Sequence, residues 1–397
     1  MKVLYFTDLH ASESHSLGGA NEPMTRPHSP HVKNRSLWQA ARALDTDILH
    51  TARDVEPDVI VCGGDLYDHP NPTPNEEAVV IGGIRQLADV APVHIVLGNH
   101  TQSHSGDATA LASLEAAGNR WITVHSEPGS FQVGDVKFYT LPYPPIGSEP
   151  DGDDWTPEVR NGHISDGLAS IVEHFANGAM RHDGPAVLLP HVTFSGAEYS
   201  AGRTVPSTDV SVPTERLPHF DATIAGHIHK RQRIGGLDER HMYVGPPTRW
   251  SFNDEGNPAG CCVVEFDDDD LVEWRWVETS ALEFRTLSPA EAIDLDPVAQ
   301  AEPHAMSVLR VKGEVSDLET LDDVEEAIDE IRTHAPCRND VTVTQSDNRL
   351  DADDLESHSI RDIYDRFCEA RPDEIPEDKR DDVFEVVEQL AQQTKEQ

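Results

Sequence analysis

The sequence predicts an α/β protein in which parallel strands carry the functional residues, and two observations support this fold class. Five short apolar runs in the first 230 residues are each followed closely by side chains that can bind a metal ion. Helical patterns lie between the first three runs, at Ser36–Asp54 and Glu76–Leu87. Alternating strands and helices are typical of right-handed crossovers and a parallel sheet.

The apolar runs have the length of buried strands, and most of them are bounded by Gly or Pro. They are Lys2–Thr7, Val59–Cys62, Val93–Leu97, Ala186–Leu189 and Ala222–Ala225. In the same order they lead to Asp8 and His10, to Asp65, to Asn99 and His100, to His191, and to His227 and His229. Because ligands bind at the carboxyl ends of the strands in such sheets, we expect these polar residues to converge.

Two later segments have the pattern of antiparallel hairpins. Phe131–Leu141 turns at Gly134 and Asp135, and Gly260–Val277 turns within the acidic run Asp267–Asp270. We therefore expect a set of antiparallel strands in addition to the parallel ones.

The last third of the chain changes character at Pro289, Pro297 and Pro303, which together predict a linker. Beyond it the pattern predicts a strand, an acidic helix, a strand and two amphipathic helices. These elements are Ser307–Gly313, Asp317–His334, Val341–Gln345, Ala352–Glu369 and Glu377–Gln393. The expected organisation is a main domain of residues 1–280, a linker of 281–304, a small β-α-β domain of 305–346 and a helical tail of 347–397.

The chain is strongly acidic, with 72 Asp and Glu against 31 Lys and Arg and a formal net charge of −41. The excess is spread along the chain and lysine is scarce, which suits a salt-rich cytoplasm and predicts a halophilic host. The alternative is a specifically acidic surface for a partner. Because concentrated salt screens charge, the net charge does not exclude a polyanionic substrate.

Hydrophobic residues make up 37% of the sequence, enough for a sizeable core. No apolar run approaches the roughly 18 residues of a membrane span, and the first residues do not resemble a secretory signal. The five cysteines form no CxxC pair, which argues against a disulfide framework or a structural zinc site. We expect a cytoplasmic protein that does not associate with a membrane.

The residues after the apolar runs form the ligand set that a pair of phosphate-binding metal ions requires: carboxylates, imidazoles, an amide and a bridging group. In Asp8-x-His10 and His227-x-His229 the two side chains point the same way, because residues two apart in a strand share a face. Neither pair is specific alone. Five such motifs in one chain, each after an apolar run, predict a metal centre.

These motifs, FTDLH, GGDLYDH, LGNH, LPH and AGHIH, resemble those of the calcineurin-like metallophosphoesterases over roughly residues 1–250. Within that superfamily the chain is most similar to the SbcD nucleases, relatives of the meiotic-recombination-eleven nucleases. The narrower resemblance is carried by Gly64–Asp68 with Pro70–Pro74, by Val192–Ala197, and by Tyr243–Phe252 with Glu255, Gly256 and Gly260.

The resemblance implies a four-layer α/β/β/α sandwich with a small β-α-β capping domain and a C-terminal helix-loop-helix. It also implies two divalent metal ions, with manganese favoured by a ligand set of nitrogen and oxygen atoms. One ion would be held by Asp8, His10 and His229 and the other by Asn99, His191 and His227, with Asp65 as the bridge.

His100 resembles the family's catalytic histidine, which contacts the phosphate and helps the leaving oxygen depart. The alternative is a hydrogen-bonding group beside the second metal ion. Asp68 stands where the bacterial branch of the family has an acid, and the resemblance implies a catalytic role for it. Family members usually carry an acid after His100, where this chain has Thr101. Either the chemistry is slower for that reason, or Asp107 takes the place of the acid.

Basic residues follow the last metal motif, and in so acidic a chain their clustering there suggests that they contact a phosphate backbone. They are Lys230, Arg231, Arg233 and Arg249. The alternative is solvated charge on a turn. Trp250 and Phe252 either stack on bases or belong to the core.

The function that the resemblance implies is a two-metal phosphodiesterase acting on DNA, as an exonuclease on duplex ends and an endonuclease on single strands and hairpins. It would be the nuclease subunit of an SbcCD-type DNA repair complex. Its C-terminal helices would bind an SbcC-type, SMC-like coiled-coil ATPase, and the nuclease domain would form a homodimer. The alternatives are a phosphatase or nucleotide phosphodiesterase with a small substrate, and a non-catalytic, metal-binding scaffold for such an ATPase.

Overall fold

The computed structural model of the protein describes residues 1–13, 35–102, 111–116, 120–144, 156–199, 210–267, 271–295, 307–316, 318–333, 335–343, 379–380 and 383–384. The predicted tail helix Ala352–Glu369 and Asp107 lie outside these residues, as does most of Glu377–Gln393. The chain divides into two compact units, Met1–Gly313 with Val324–Asp340, and Glu314–Asp323 with Val341–Gln397. The two large sheets lie within the first unit.

Sheet 1 has six strands, four of them parallel and two antiparallel at one side. In spatial order they are β12 (Leu271–Glu278), β11 (Gly260–Phe266), β1 (Lys2–Phe6), β2 (Val59–Cys62), β3 (Val93–Val96) and β4 (Ile122–His125). The hairpin predicted at Gly260–Val277 is confirmed as β11 and β12.

Sheet 2 also has six strands, with a parallel centre and an antiparallel partner at each edge. In spatial order they are β5 (Gly129–Val133), β6 (Val136–Leu141), β7 (Ala186–Pro190), β8 (Ala222–Ala225), β10 (His241–Tyr243) and β9 (Gln232–Arg233). The hairpin predicted at Phe131–Leu141 is confirmed as β5 and β6.

The five predicted strands all exist, but they belong to two sheets. Those that carry Asp8, Asp65 and Asn99 lie in sheet 1, and those that carry His191 and His227 lie in sheet 2. The apolar runs alone gave no sign of this division, because strands buried in either sheet have the same composition. The polar residues therefore converge from two facing sheets and not from one.

The two sheets face each other across an apolar layer and have helices on their outer sides. The layer between the sheets contains Val3, Tyr5, Val59 and Val61 from sheet 1 and Phe138, Val187, Leu189 and Ile224 from sheet 2. Outside sheet 1, Leu37, Leu44 and Ile84 pack on Leu4 and Ile60. Outside sheet 2, Leu168, Val172 and Phe175 pack on Tyr139 and Leu188. This arrangement is the expected four-layer α/β/β/α sandwich.

The predicted helical patterns Ser36–Asp54 and Glu76–Leu87 are confirmed among the helices of the first unit. These helices are α1 (Arg35–Arg42), which continues through a π-helical segment (Ala43–Ile48) into α2 (Leu49–Val55), then α3 (Pro74–Ala88), α4 (Ala112–Ala116) and α5 (Pro157–Ala179). The start of α3 is fixed by Thr73 and Glu76, each of which accepts a hydrogen bond from the other's backbone N–H. Among the described helices, none combines the length and apolar composition that a membrane crossing requires.

A third sheet follows the sandwich and contains β13 (Glu283–Leu287), β14 (Ser307–Val315) and β15 (Cys337–Val343), with α6 (Pro289–Ile293) and α7 (Leu318–Arg332) between its strands. The strand-helix-strand order predicted for this region is confirmed. Phe284 and Val308 pack on Trp38 of α1, with Phe252 against the same cluster.

The first half of the predicted linker 281–304 is regular structure. Strand β13 pairs in parallel with β14, and its Phe284 and Leu287 are buried. Pro289 is the first residue of α6, and the side chain of Ser288 caps that helix. Proline at this position starts a helix and does not mark a flexible connection. The division into four parts stays a prediction.

A stack of four rings joins the two sheets at one side. The ring of His94 on β3 lies 3.8 Å from Phe131 and 5.2 Å from His125, and Phe131 lies 4.8 Å from Phe138. Nδ1 of His94 is 2.9 Å from Nε2 of His125. When both imidazoles are neutral, the N–H of one therefore donates to the lone pair of the other. Burial, and to a lesser extent the neighbouring His125, lowers the pKa of His94 from 6.5 to about 4.

Lowering the pH should therefore weaken folding through this stack. The unfolded chain takes up a proton on His94 near pH 6.5, whereas the folded chain resists it until about 4. The stability present above pH 6.5 is lost as the pH falls toward 4, by about 2 kcal/mol for a partly exposed ring. Denaturant unfolding at several pH values measures the loss.

The matched variant is His94→Phe, which keeps the stacking area and removes the titrating group. Its free energy of unfolding should fall less between pH 6.5 and 4 than that of the wild type. The same pH dependence in both proteins would contradict this account of the stack.

Candidate metal centre

The backbone bends sharply at the ends of the strands that carry the predicted ligands. Among the described residues, five that are not glycine have a positive φ: Asp8 (55°), His10 (46°), Asp65 (47°), His227 (82°) and Glu56, which ends α2. Four of the five are predicted metal ligands. This conformation is uncommon for such residues and costs of order 1–3 kcal/mol each, and it collects at functional sites.

Hydrogen bonds between the first two strand ends hold these bends in place. The N–H groups of Asp8 and His10 donate to the carbonyls of Gly64 and Asp65, at 3.0 and 2.9 Å. The two bends therefore support each other, and they aim Asp8, His10 and Asp65 at one point.

The structure brings the residues of the first predicted ligand group together. Asp8, His10 and His229 each offer a ligand atom to one common position. Nε2 of His10 lies 3.0 Å from Nε2 of His229. Two nitrogens about 2.1 Å from one ion and at right angles to each other would be about 3.0 Å apart. The pair therefore has the spacing of two ligands of one metal ion.

The second predicted group lies beside the first. Nε2 of His191 is 3.0 Å from Oδ2 of Asp65 and 3.3 Å from Oδ1 of Asn99. The same Asn99 oxygen is 2.9 Å from Nδ1 of His227. These four side chains surround a second position.

Asp65 lies between the two groups, as a bridging ligand must. Its Oδ2 is 3.0 Å from Nε2 of His191 and 4.0 Å from Nε2 of His10. Its Oδ1 accepts a hydrogen bond of 2.9 Å from the backbone N–H of His100. The carboxylate thus contacts residues of both groups and is fixed by the chain that follows β3.

Groups outside the ligand set fix the orientation of two imidazoles. Nδ1 of His191 donates to the carbonyl of Gly63 at 2.7 Å, which leaves the Nε2 lone pair directed at the centre. Nδ1 of His10 donates to Oδ1 of Asp68 at 3.1 Å, with the same effect. A carboxylate or carbonyl behind a metal-binding histidine fixes its tautomer and raises its basicity.

The buried carboxylates of the centre favour a positive charge beside them. Asp8, Asp65 and His191 are all buried. Burial opposes the shift, but the facing His191 lowers the pKa of Asp65 well below its usual range, and the Asp65 charge raises the pKa of His191 to about 9. Burial and the nearby His191 lower the pKa of His227 to about 3. Divalent ions would satisfy the carboxylates while every imidazole stays neutral, so this donor set fits a pair of such ions.

The centre lies at the floor of a cavity of about 590 Å³. Besides residues of the metal motifs, its described lining includes Trp250 and Ser251, from the stretch Tyr243–Phe252. It also includes three residues that the sequence did not indicate, Tyr199, Asn253 and Asp254. Among the described residues that line it there are three Asp and no Lys or Arg. We name it the metal cavity. The positive charge that an anionic ligand needs in the metal cavity would have to come from the metal ions.

His100 projects into the metal cavity, and its side chain is 40% exposed. Its Nδ1 donates to the backbone carbonyl of Asp68 at 2.7 Å, which directs Nε2 away from the protein. The hydroxyl of Thr101 donates instead to the carbonyl of Gly98, at 3.2 Å. The group that orients His100 is therefore the Asp68 carbonyl, and sequence alone gives no signal for a backbone contact of this kind.

The basic residues predicted to contact DNA all have protein partners. Lys230 pairs with Glu198, the Arg231 guanidinium lies 4.6 Å from the Trp276 ring, and Arg233 is 3.2 Å from Glu239. These three stay predictions, since exposed ion pairs exchange readily.

Arg249 is held more firmly than the other three. Its guanidinium donates to the carbonyls of Asn257 and Leu282, at 2.7 and 3.1 Å, and burial lowers its pKa. These contacts favour a structural role. Trp250 is 8% exposed and therefore belongs largely to the core, the alternative that the sequence left open.

Comparison with known proteins agrees with the geometry. The sequence model of the calcineurin-like phosphoesterase family matches residues 1–231, a range that includes all seven predicted ligands. Among solved structures, the chain is similar to the crystal structure of a dimetal phosphatase from Danio rerio. That similarity has a TM-score of 0.44 at 15% identity and covers 70% of this chain and 98% of that one.

Replacing Asp65 by Asn should remove most of the stabilisation that manganese gives the protein. An ion that binds only the folded state at 100 times its dissociation constant adds about 2.7 kcal/mol. Melting temperatures of chelator-treated protein, with and without manganese, measure this. The control is Asp54→Asn, an exposed acid at the end of α2. An undiminished manganese shift in Asp65→Asn would contradict the bridging position.

Replacing Asp68 by Ala should weaken metal binding about 10–100-fold without abolishing it, because the carboxylate positions His10 and does not face the ions. The backbone carbonyl that holds His100 is present in every variant. Asp68→Asn retains an acceptor oxygen and should lie between the two. Titration calorimetry with manganese measures the affinities. Equal affinity in wild type and Asp68→Ala would show that the contact with His10 has no role.

Proposed function

Because the chain belongs to the calcineurin-like phosphoesterase family, we propose that its metal centre hydrolyses phosphodiester bonds in DNA, on duplex ends and within single strands and hairpins. The observation that carries the proposal is the complete ligand set: two Asp, four His and one Asn converge on two adjacent positions at the floor of an open cavity. A pair of divalent ions there would activate both a phosphodiester and a water molecule for in-line attack.

The chain's own residues have separate tasks in this reaction. Asp65 and the six other ligands place the two positions side by side, and Asp68 and Gly63 keep His10 and His191 in their binding tautomers. His100, held at Nδ1 by the Asp68 carbonyl, directs Nε2 into the metal cavity. From there it binds the phosphate and gives a proton to the departing oxygen when the imidazole is charged.

The choice of DNA rests on where the SbcD-like stretches lie. Trp250 and Ser251, from Tyr243–Phe252, line the metal cavity. Asp68, the last residue of Gly64–Asp68, lines the same cavity and contacts both His10 and His100. Residues of two of the three nuclease-like stretches therefore lie where a substrate would meet them. This supports a nuclease over a general hydrolase.

The proposal includes the partners that the resemblance implies. The helices predicted from the sequence at 352–369 and 377–393 would bind an SbcC-type coiled-coil ATPase through their apolar faces. The sandwich domain would pair with a second copy. Manganese is the proposed metal because the ligands are imidazole, carboxylate and amide groups and include no thiolate.

A small-molecule phosphatase or nucleotide phosphodiesterase is the second candidate, and the lining of the metal cavity favours it. The cavity has the volume of a small-ligand site, and among the described residues that line it none is a Lys or Arg for a long backbone. A non-catalytic scaffold is disfavoured by the complete ligand set. The presence of Thr101 in place of an acid does not favour a scaffold, because the Asp68 carbonyl holds His100 while the Thr101 hydroxyl bonds to Gly98.

Cleavage of end-labelled duplex and hairpin DNA in molar potassium chloride with manganese tests the proposal. His100→Ala should reduce the rate at least about 100-fold, because it removes the general acid, and Asp65→Ala should abolish cleavage. His50→Ala, an exposed histidine of α2, is the matched control and should cleave like the wild type. Hydrolysis of an aryl phosphodiester without any cleavage of DNA would contradict the nuclease and favour the second candidate.

A further inference from the structure

A second cavity, of about 480 Å³, adjoins the metal cavity. Its described lining includes Ser251, Phe252, Asn253, Arg310 and Arg338, and we name it the arginine cavity. It lies between the segment that follows Trp250 and the strands β14 and β15 of the third sheet. The sequence pointed to one side of it, at Trp250 and Phe252, but not to its arginines.

The two cavities share part of their lining. Trp250, Ser251 and Asn253 line both of them. A ligand bound at the metal centre that is longer than one phosphodiester group would therefore extend past these residues into the arginine cavity.

The two linings have opposite charge. The described lining of the metal cavity contains three carboxylates and no Lys or Arg, whereas that of the arginine cavity contains two arginines and no carboxylate. In a chain with 72 acidic and 31 basic residues, a carboxylate-free lining with two guanidinium groups is unusual. Metal ions would supply positive charge in the first cavity, and the arginines supply it in the second, so together they match a polyanion.

Arg338 is available to such a ligand. Its side chain is 68% exposed, and its Nε is 2.7 Å from Oδ1 of Asp340, which lies outside the described lining. An exposed ion pair of this kind contributes roughly 0–1 kcal/mol, so a phosphate can replace the carboxylate at little cost.

Arg310 is fixed in place. Its guanidinium lies 4.3 Å from the ring centroid of Phe252, and its Nη2 donates to Oγ1 of Thr286 at 2.8 Å. The facing carboxylate of Glu255 is 3.9 Å away. A guanidinium stacked on a ring and hydrogen-bonded at one edge keeps its other N–H groups in a defined direction, which favours recognition of phosphate oxygens.

We propose that the arginine cavity binds the part of a nucleic-acid strand that follows the scissile phosphodiester. Arg310 and Arg338 contact its next phosphate group, and the partly exposed Phe252 offers an apolar contact. The inference rests on the proposed function and specifies that the substrate is a strand with more than one phosphate group. The enzyme prefers an oligonucleotide strand to an isolated phosphodiester, because only the strand reaches both cavities.

The test compares an oligonucleotide with bis(4-nitrophenyl) phosphate. The aryl diester has a single phosphate group and therefore none to place against the arginines. For Arg338→Gln, the ratio of kcat/KM for the oligonucleotide to kcat/KM for the aryl diester should fall about 5–10-fold. The slope of log KM for the oligonucleotide against log salt should also fall by about 0.7, the value for one lost phosphate contact on a single strand. Arg310→Gln should change the ratio in the same direction.

Arg216→Gln is the control, since Arg216 is also a half-exposed arginine in an ion pair and lines neither cavity. It should leave the ratio and the salt slope unchanged. An unchanged ratio in Arg338→Gln, with DNA still cleaved by the wild type, would overturn this inference and leave the nuclease intact. A wild type that hydrolyses the aryl diester and cleaves no oligonucleotide would overturn both.

Discussion

The bend of the chain at the strand ends is the constraint on which the site depends. Asp8, His10, Asp65 and His227 all adopt a left-handed backbone that extended strands do not have, and this turns their side chains toward one place. Glycines make the close approach possible. A Cβ on Gly64, which has a φ of 125°, would lie 2.2 Å from Nδ1 of His191, so the two sheets could not meet there with any other residue.

The two-sheet sandwich explains why the ligands come from distant parts of the sequence. Each sheet contributes the carboxyl ends of neighbouring parallel strands, and the apolar layer between the sheets holds those ends at a fixed distance. Asp65 and His191 meet across this layer at 3.0 Å although 126 residues separate them. The strain of the bends and the burial of two carboxylates are thereby concentrated at one edge, where a pair of bound cations would offset their cost.

The predicted metal ligands could be named from the sequence alone, but the residues and contacts around them could not. A ligand motif after an apolar run is local, so Asp8-x-His10 and His227-x-His229 could be found by inspection. The assignment of strands to two sheets depends on long-range packing and could not. The same holds for backbone contacts: the Asp68 carbonyl accepts a hydrogen bond from His100, and the motifs gave no sign of that contact. Charge was also misleading at Arg249, whose guanidinium is bound to carbonyls inside the protein.

The bent strand ends bring the ligands together so that two metal ions would lie side by side with Asp65 between them. Anomalous diffraction from crystals grown with manganese tests this most directly. We expect two peaks about 3.5–4 Å apart, with the Asp65 carboxylate between them. His10 and His229 should lie at one peak and His191 and His227 at the other. A single peak, or two peaks without Asp65 between them, would contradict this arrangement.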